Sequence, residues 1–351
     1  MKTKIFLGAY VNFPNAQNVN CDHIAKHLDK EKFEVHIFYI HNRPVDQEVY
    51  QKAGIHLHKL ILRKYFWFWH KLFVMWKAKC HIYYLPKGES ADRAFAKWNK
   101  KSGKLLISSV EGVVGAQVDA NDRETLTYYE LMDDYFSISD CIRESVKKYW
   151  GVDTQTLHLG VDELGGYTAK TDVKNIIWTG SMIERKRPQY LIEIAKRFPQ
   201  LHFTMVGDGD MDGQIREKIA EYGLKNVTLT GRIPNEKVYE KMQESDLLLM
   251  TSEFEGLPKV IQEAAQCGLP SIYMAENYKV DFLQDGVNGH EAYSLEQMIE
   301  KLTYLLENPS VYREMSQNAA QIIQEYTWEK LIPKYEEYFL RKLEEKRSGA
   351  K

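Results

Sequence analysis

Residues 251–270, TSEFEGLPKVIQEAAQCGLP, hold the residue types best suited to chemistry. They follow the apolar run LLLM at 247–250, so they open at the carboxyl end of an expected strand, where open α/β sheets bind ligands. Gly256 permits close backbone approach, and Pro258 suits the first turn of a helix. Glu255 lies in the loop and Glu263 eight residues further on, within the helix. More than one helical turn separates Pro258 from Glu263, so Glu263 can face back toward the loop. Two carboxylates so placed accept hydrogen bonds from vicinal hydroxyls of a ribose or hexose. The helix N-terminus offers N–H groups and positive dipole to a phosphate. For an isolated pair, the competing reading is two solvated surface carboxylates.

These residues need a frame, and the chain supplies one. Short strand-like runs alternate with helical patterns throughout. Strands are expected at 4–7, 33–40, 55–60, 81–85, 105–108 and 135–139, then at 175–179, 201–206, 227–230, 247–250 and 271–274. In the second half, helices fit 188–198, 214–222, 235–244, 258–267, 295–307 and 311–325. Such alternation means βαβ units and parallel sheets. With 351 residues, at about 150 per domain, it predicts two doubly wound α/β domains. The polar, glycine-bearing stretch 160–172 reads as the linker. A final charged helix over 328–346 is expected either on the second domain or crossing back to brace the first.

At Glu255, Glu263 and the following AAQCGLP, the chain resembles the retaining glycosyltransferases of family 4, with their GT-B fold. WTGSMIERKRPQYLIEIAKRFP resembles the family's strand, loop and helix that hold the donor diphosphate. LHFTMVGDGDMDGQIREKIAEYGLKNVTLTGRIP resembles its glycine turn and base-binding loop, and YTWEKL its lead-in to a closing helix. SISDCIRESVKKYWGV and Gly160–Val161–Asp162 match more weakly. The resemblance covers 135–345, with 1–134 alike only in general layout.

The resemblance implies an acceptor-binding domain over 1–160 plus the closing helix 328–351, and a nucleotide-sugar domain over 161–327. It implies a cleft between them in which a sugar moves from a nucleotide diphosphate, a UDP-sugar first, to a saccharide or lipid-linked acceptor. By position, Glu263 would bind the ribose, Glu255 the donor sugar, and Lys186 the diphosphate. Gly256, Leu257 and Pro258 would bring main chain to sugar and phosphate, although Pro258 has no N–H to give. The family's arginine after the loop glycine is replaced: Gly180 is followed by Ser181, and Arg185 is the candidate substitute. Arg232 and Ile233 lie in the loop expected near the base. In the first domain, Glu111–Gly112 stands where many members carry His–Gly, which puts Glu111 with Glu255 and Lys186 among the catalytic candidates. Asn15, Gln17 and Asn18 follow the first strand and are the acceptor-side candidates. No metal and no cofactor is called for on this reading, since Asp208–Gly209–Asp210 resembles the glycine turn and not a metal motif. A non-catalytic partner subunit of a transferase, or a GT-B nucleotide-sugar epimerase, remain the alternatives.

Composition bounds the rest. The chain is 44% hydrophobic and 27% charged, as an ordinary globular protein is. Its four cysteines lie far apart with no C-x-x-C pair, which disfavours a zinc site and favours a reducing compartment. No leader and no long apolar span is read, so a cytoplasmic location is expected. Net charge is −2, divided as +6 over 1–150 and −8 over 151–351. Between 52 and 104 there are 13 basic and 2 acidic residues. No nucleic-acid motif accompanies them, so nucleic acid is not an expected partner.

Within that stretch, LILRKYFWFWHKLFVMWKAK at 60–79 mixes aromatics with cations. On a helical wheel Tyr65, Trp69, Leu72 and Trp76 share a face and are expected in the core. That arrangement leaves Trp67, Phe68, Val74 and Met75 on the far side with Lys64, Lys71 and Lys79, which are expected either beneath a neighbouring segment or on an anionic membrane surface.

Overall fold

The computed structural model describes residues 2–13, 15–64, 66–115, 120–162, 167 and 170–349, with the backbone alone over 120–124. The expected linker positions 163–166 and 168–169, and Tyr65, therefore lie outside the described residues. The chain divides into two compact units. Unit 1 is Met1–Gly160 with Trp328–Lys351, and unit 2 is Val161–Thr327.

Unit 1 runs β1 (Thr3–Tyr10), α1 (Ala16–His27), β2 (Phe33–Ile40), α2 (Gln47–Lys52), β3 (Ile55–Leu60), α3 (Phe66–Ala78), β4 (Ile82–Tyr84), α4 (Ser90–Asn99), β5 (Leu105–Val110), α5 (Ala120–Tyr129), β6 (Asp134–Ser137) and α6 (Asp140–Trp150). Its six strands form one parallel sheet in the order β3-β2-β1-β4-β5-β6. Ile5, Leu7, Val35, Ile37, Ile82, Leu105 and Ile107 are buried, because a parallel sheet covered on both faces needs nearly continuous apolar strands. The order reverses between β1 and β4, which makes the loops after these strands a switch point.

Unit 2 runs β7 (Asn175–Thr179), a 3₁₀ turn (Glu184–Lys186), α7 (Gln189–Arg197), β8 (His202–Val206), α8 (Asp212–Glu221), β9 (Val227–Gly231), α9 (Asn235–Glu244), β10 (Leu247–Met250), α10 (Lys259–Gln266), β11 (Ser271–Met274), β12 (Gly289–Ala292), α11 (Leu295–Glu307) and α12 (Pro309–Ile322). The sheet is again parallel and six-stranded, ordered β12-β11-β10-β7-β8-β9, so its switch point lies between β7 and β10. β12, with the sequence GHEA, was not expected from the pattern. It is a short edge strand with no apolar run, and its pairing with β11 identifies it.

The final helix, α13 (Trp328–Ser348), belongs to unit 1. Trp328, Tyr335 and Phe339 are wholly buried there. The Tyr335 hydroxyl donates to the carbonyls of Leu157 and His158 at 3.1 and 3.0 Å. Glu336 accepts from the Asp29 N–H and from Lys32 Nζ, both at 2.7 Å. Gly160 is required at the crossing, since a Cβ there would lie 2.7 Å from the Trp328 ring.

α3 turns a different face inward from the one the wheel selected. Its buried residues are Lys71, Leu72 and Met75, while Trp69 and Trp76 are each 62% exposed. Lys71, expected on the far side as a candidate lipid-facing cation, is buried. Its ammonium lies 2.7 Å from Asp92 and 2.9 Å from Glu89. Met75 is fixed as well, its carbonyl accepting from the Tyr83 hydroxyl at 2.8 Å. A buried cation needs its counter-charge, and Asp92 on α4, itself fully buried, sets the rotation. Trp67 and Phe68 are partly buried, and the exposed stripe is Phe66, Trp69, Phe73 and Trp76.

Candidate donor site

Two loops, distant in sequence, meet at the switch point of unit 2. The first leaves β7 and the second leaves β10. Close glycine packing allows the approach. Gly207 has φ of 131°, and a Cβ there would sit 1.9 Å from the Gly180 carbonyl oxygen. Gly180 donates its N–H to Val206 O and Met182 to Asp208 O, so the loops after β7 and β8 are tied together. The turn Glu184–Lys186 is tied to the loop after β10 in turn. The Thr251 hydroxyl donates to Lys186 O at 2.6 Å and accepts from Trp178 Nε1 at 2.9 Å. Glu253 donates its N–H to Arg185 O at 2.8 Å.

This clamp aims both cations at one carboxylate. Glu255 Oε1 accepts from Lys186 Nζ and, at 3.0 Å, from Arg185 Nη1. Arg185 also donates to Phe254 O at 2.6 Å and lies over the Phe254 ring. The Glu255 and Lys186 side chains are 13% and 16% exposed, so the pair is partly desolvated but reachable. Two positive groups share one negative, which leaves a net positive site beside the start of α10. Pro258 stands at its N-cap and gives it no side-chain bond, so the positive end of the helix dipole faces the loop. A diphosphate fits this arrangement electrostatically.

Glu263 projects from α10. Burial pushes its carboxyl above the usual glutamate range, and Lys259 only partly offsets this. The Tyr239 hydroxyl, pushed up first by its own burial, is raised further by the Glu263 charge. A carboxylate held at such a cost is a ready acceptor for hydroxyl donors. Gly256 and Leu257 are half-buried in the loop and Pro258 is buried; Ser181 and Arg232 are exposed, and Ile233 is half-buried. Sequence reasoning placed these residues near one another, but the bonds from Arg185 and Lys186 to Glu255 had no signal in it, being separated by about 70 positions.

The remaining candidates belong to unit 1. Glu111 follows β5 and accepts from the Ser109 hydroxyl at 2.9 Å, and Ser109 accepts from Tyr84. Asn15 is the N-cap of α1, accepting from Asn18 N–H. Gln17 donates to Pro86 O at 3.0 Å. Asn18 is 1% exposed; it accepts from Tyr10 N–H and donates to Phe13 O, so its amide shapes the loop after β1 from inside. Glu34, His36 and His56 lie close enough together to ligate a cation, at the opposite end of the sheet from these loops. Glu34, however, already takes the Lys4 ammonium at 2.7 Å.

Two six-stranded parallel sheets, one in each unit, with this cradle at the switch point of the second, match the doubly wound layout expected of the GT-B class. The sequence model of the family described as Glycosyl transferases group 1 matches residues 165–322, which lie within unit 2. An α-galactosylglucosyldiacylglycerol synthase of Streptococcus pneumoniae is 30% identical over 163 residues, 45% of this chain and 43% of that protein. An uncharacterized glycosyltransferase of Haemophilus influenzae is 26% identical over 175 residues, 48% and 49% of the two chains. The chain spans about half the length of these relatives. In fold, it is similar to Anabaena Alr3699/HepE solved in complex with UDP, with a TM-score of 0.81 at 15% identity, covering 97% of this chain and 100% of that one. The protein thus has the GT-B fold.

Proposed function

We propose that the protein is a retaining hexosyltransferase that moves a sugar from a UDP-sugar to a saccharide or lipid-linked acceptor during cell-surface glycan synthesis. The observation that carries this reading is the convergence of Lys186 and Arg185 on Glu255 beside the start of α10. In the reaction the bond between the anomeric carbon and the β-phosphate oxygen breaks, and a bond from that carbon to an acceptor oxygen forms. The acceptor's proton leaves with the diphosphate. Lys186, Arg185 and the α10 dipole stabilise the departing charge, the largest electrostatic demand of the step. Such a set of donors serves without a metal ion. Glu255 turns its carboxylate to the sugar once the diphosphate draws the cations away, and Glu263 accepts from the ribose.

The names of similar proteins support the nucleotide and the setting. The HepE structures contain UDP and, in one, UDP-glucose. The relatives include a glycolipid synthase and an amylovoran biosynthesis glycosyltransferase of Erwinia amylovora. Among the described residues no helix is long and apolar enough to cross a membrane. Peripheral association on the cytoplasmic face of an anionic bilayer fits the exposed stripe instead. Phe66, Trp69, Phe73 and Trp76 lie along one face of α3, and Trp98 of α4 stacks on Trp69. Lys77, Lys79 and Lys97 are exposed around them. The two acids of the region, Glu89 and Asp92, are held by Lys71, so cations dominate the surface.

The test is to incubate the purified protein with UDP-hexoses, with and without acceptor glycolipids or saccharides. Release of UDP that depends on acceptor, with the anomeric configuration kept, is the expected result. Donor conversion without acceptor would indicate an epimerase. No donor binding at all would overturn the reading. Vesicle sedimentation tests the membrane part: binding to anionic vesicles should fall in Trp69→Glu with Trp76→Glu, and equal binding to neutral vesicles would refute the electrostatic contribution.

A further inference from the structure

Unit 1 has its own switch point, between β1 and β4, and a cavity of about 390 Å³ opens there. Its walls come from the carboxyl ends of four strands and the start of α3. Phe13, Leu62 and Trp67 are apolar members of the lining, and Arg63, Lys64 and Lys87 its cations. Phe13 and Leu62 are 37% and 51% exposed, more than large apolar side chains in a self-sufficient core.

The cationic lining is built from within. The Lys87 side chain is only 10% exposed, with its ammonium 5.0 Å from the centre of the Tyr10 ring and 3.6 Å from Glu89. Glu89, itself in the lining, is already committed, accepting from Lys71 at 2.9 Å and from the Tyr10 hydroxyl. Glu89 and Asp92 share Lys71, and Lys87 approaches Glu89 as well, so two carboxylates meet two ammonium groups here, and Arg63 and Lys64 add further positive charge to the lining. A saccharide hydroxyl array asks for acceptors and mixed polar groups. Phe13, Leu62 and Trp67 beside three cations ask for a hydrocarbon joined to an anion. A second cavity shares Leu62, Arg63 and Lys64 and reaches Phe66, the first residue of the exposed α3 stripe, so the site adjoins the face suited to a bilayer.

We propose that this cavity binds the phosphate-bearing end of an amphiphile. As the identity of the acceptor, this rests on the transferase reading above; as a binding site it stands on the cavity alone. The experiment is calorimetric titration of the full chain with decyl phosphate below its micelle concentration, against decyl glucoside and inorganic phosphate. Decyl phosphate should bind at least tenfold more tightly than either. Arg63→Glu with Lys87→Met should reduce that preference below twofold while UDP affinity and the circular-dichroism spectrum stay unchanged. Trp69→Glu with Trp76→Glu should keep the preference, separating the cavity from bilayer attachment. Equal affinity for decyl phosphate and decyl glucoside, tight binding of inorganic phosphate alone, or a preference that survives in the folded double variant would each overturn the proposal. If decyl phosphate binds as expected but UDP does not, the cavity stands and the transferase reading falls.

Discussion

Glu255 and Lys186 lend themselves to a test in which two neighbouring substitutions push nucleotide binding in opposite directions. Without donor, Glu255 occupies both cations, with Arg185 Nη1 at 3.0 Å and Lys186 closer still. Lys186→Ala removes a charge-assisted bond to the diphosphate and leaves Glu255 facing it. The loss should be about 1.5–3 kcal/mol, or roughly ten- to 150-fold in the Kd for UDP. Glu255→Gln removes the carboxylate that competes with the diphosphate. A partly exposed ion pair contributes about 1 kcal/mol, so UDP should bind roughly fivefold more tightly. Turnover should nevertheless fall, because the carboxylate facing the donor sugar is gone. In the Lys186→Ala background the gain from Glu255→Gln should shrink, since only Arg185 remains to be released. Titration calorimetry with UDP measures all three, and steady-state transfer gives the kcat. The main-chain clamp through Thr251 and Glu253 does not use either side chain, so the loop should stay in place. If Glu255→Gln weakens UDP as much as Lys186→Ala does, the competition reasoning is wrong.

Glu263 gives a pH signature. Its carboxyl is raised by burial, so ionisation destabilises the unliganded fold as pH rises through that raised value, and Glu263→Gln should be the more stable protein above it. UDP affinity of the wild type should fall as pH drops through the same range, and calorimetry on Glu263→Gln should show that dependence gone. Lys71→Met leaves Asp92 buried without its cation and should cost about 3–5 kcal/mol in urea denaturation. Adding Asp92→Asn should recover most of this, and a single-variant loss below about 1 kcal/mol would refute the buried pair's role. Truncation before Trp328 removes Trp328, Tyr335, Phe339 and Leu343 from unit 1, at about 1.5–3 kcal/mol for each buried side chain. That approaches the whole stability of a domain, so limited proteolysis should digest unit 1 before unit 2.

Much of this architecture was legible from local pattern. Five strands, including Phe33–Ile40 and Leu247–Met250, have the bounds that their apolar runs suggest, because a strand covered on both faces must be apolar along its length. Asn235–Glu244 and Leu295–Glu307 likewise follow their helical periodicity. The loops after β7 and β10 could be placed because carboxyl strand ends are where parallel sheets open. Tertiary structure alone decided which charges meet. Arg185 and Lys186 reach Glu255 only because sheet order puts β7 beside β10. α3 shows the same limit most sharply. Its aromatics fit the core by hydrophobicity, yet Trp69 and Trp76 face outward and Lys71 inward. The reason is that hydrophobic periodicity weighs each side chain alone, whereas the burial of a charge is decided by the partner that neutralises it, and Asp92 lies one strand and one helix further along the chain.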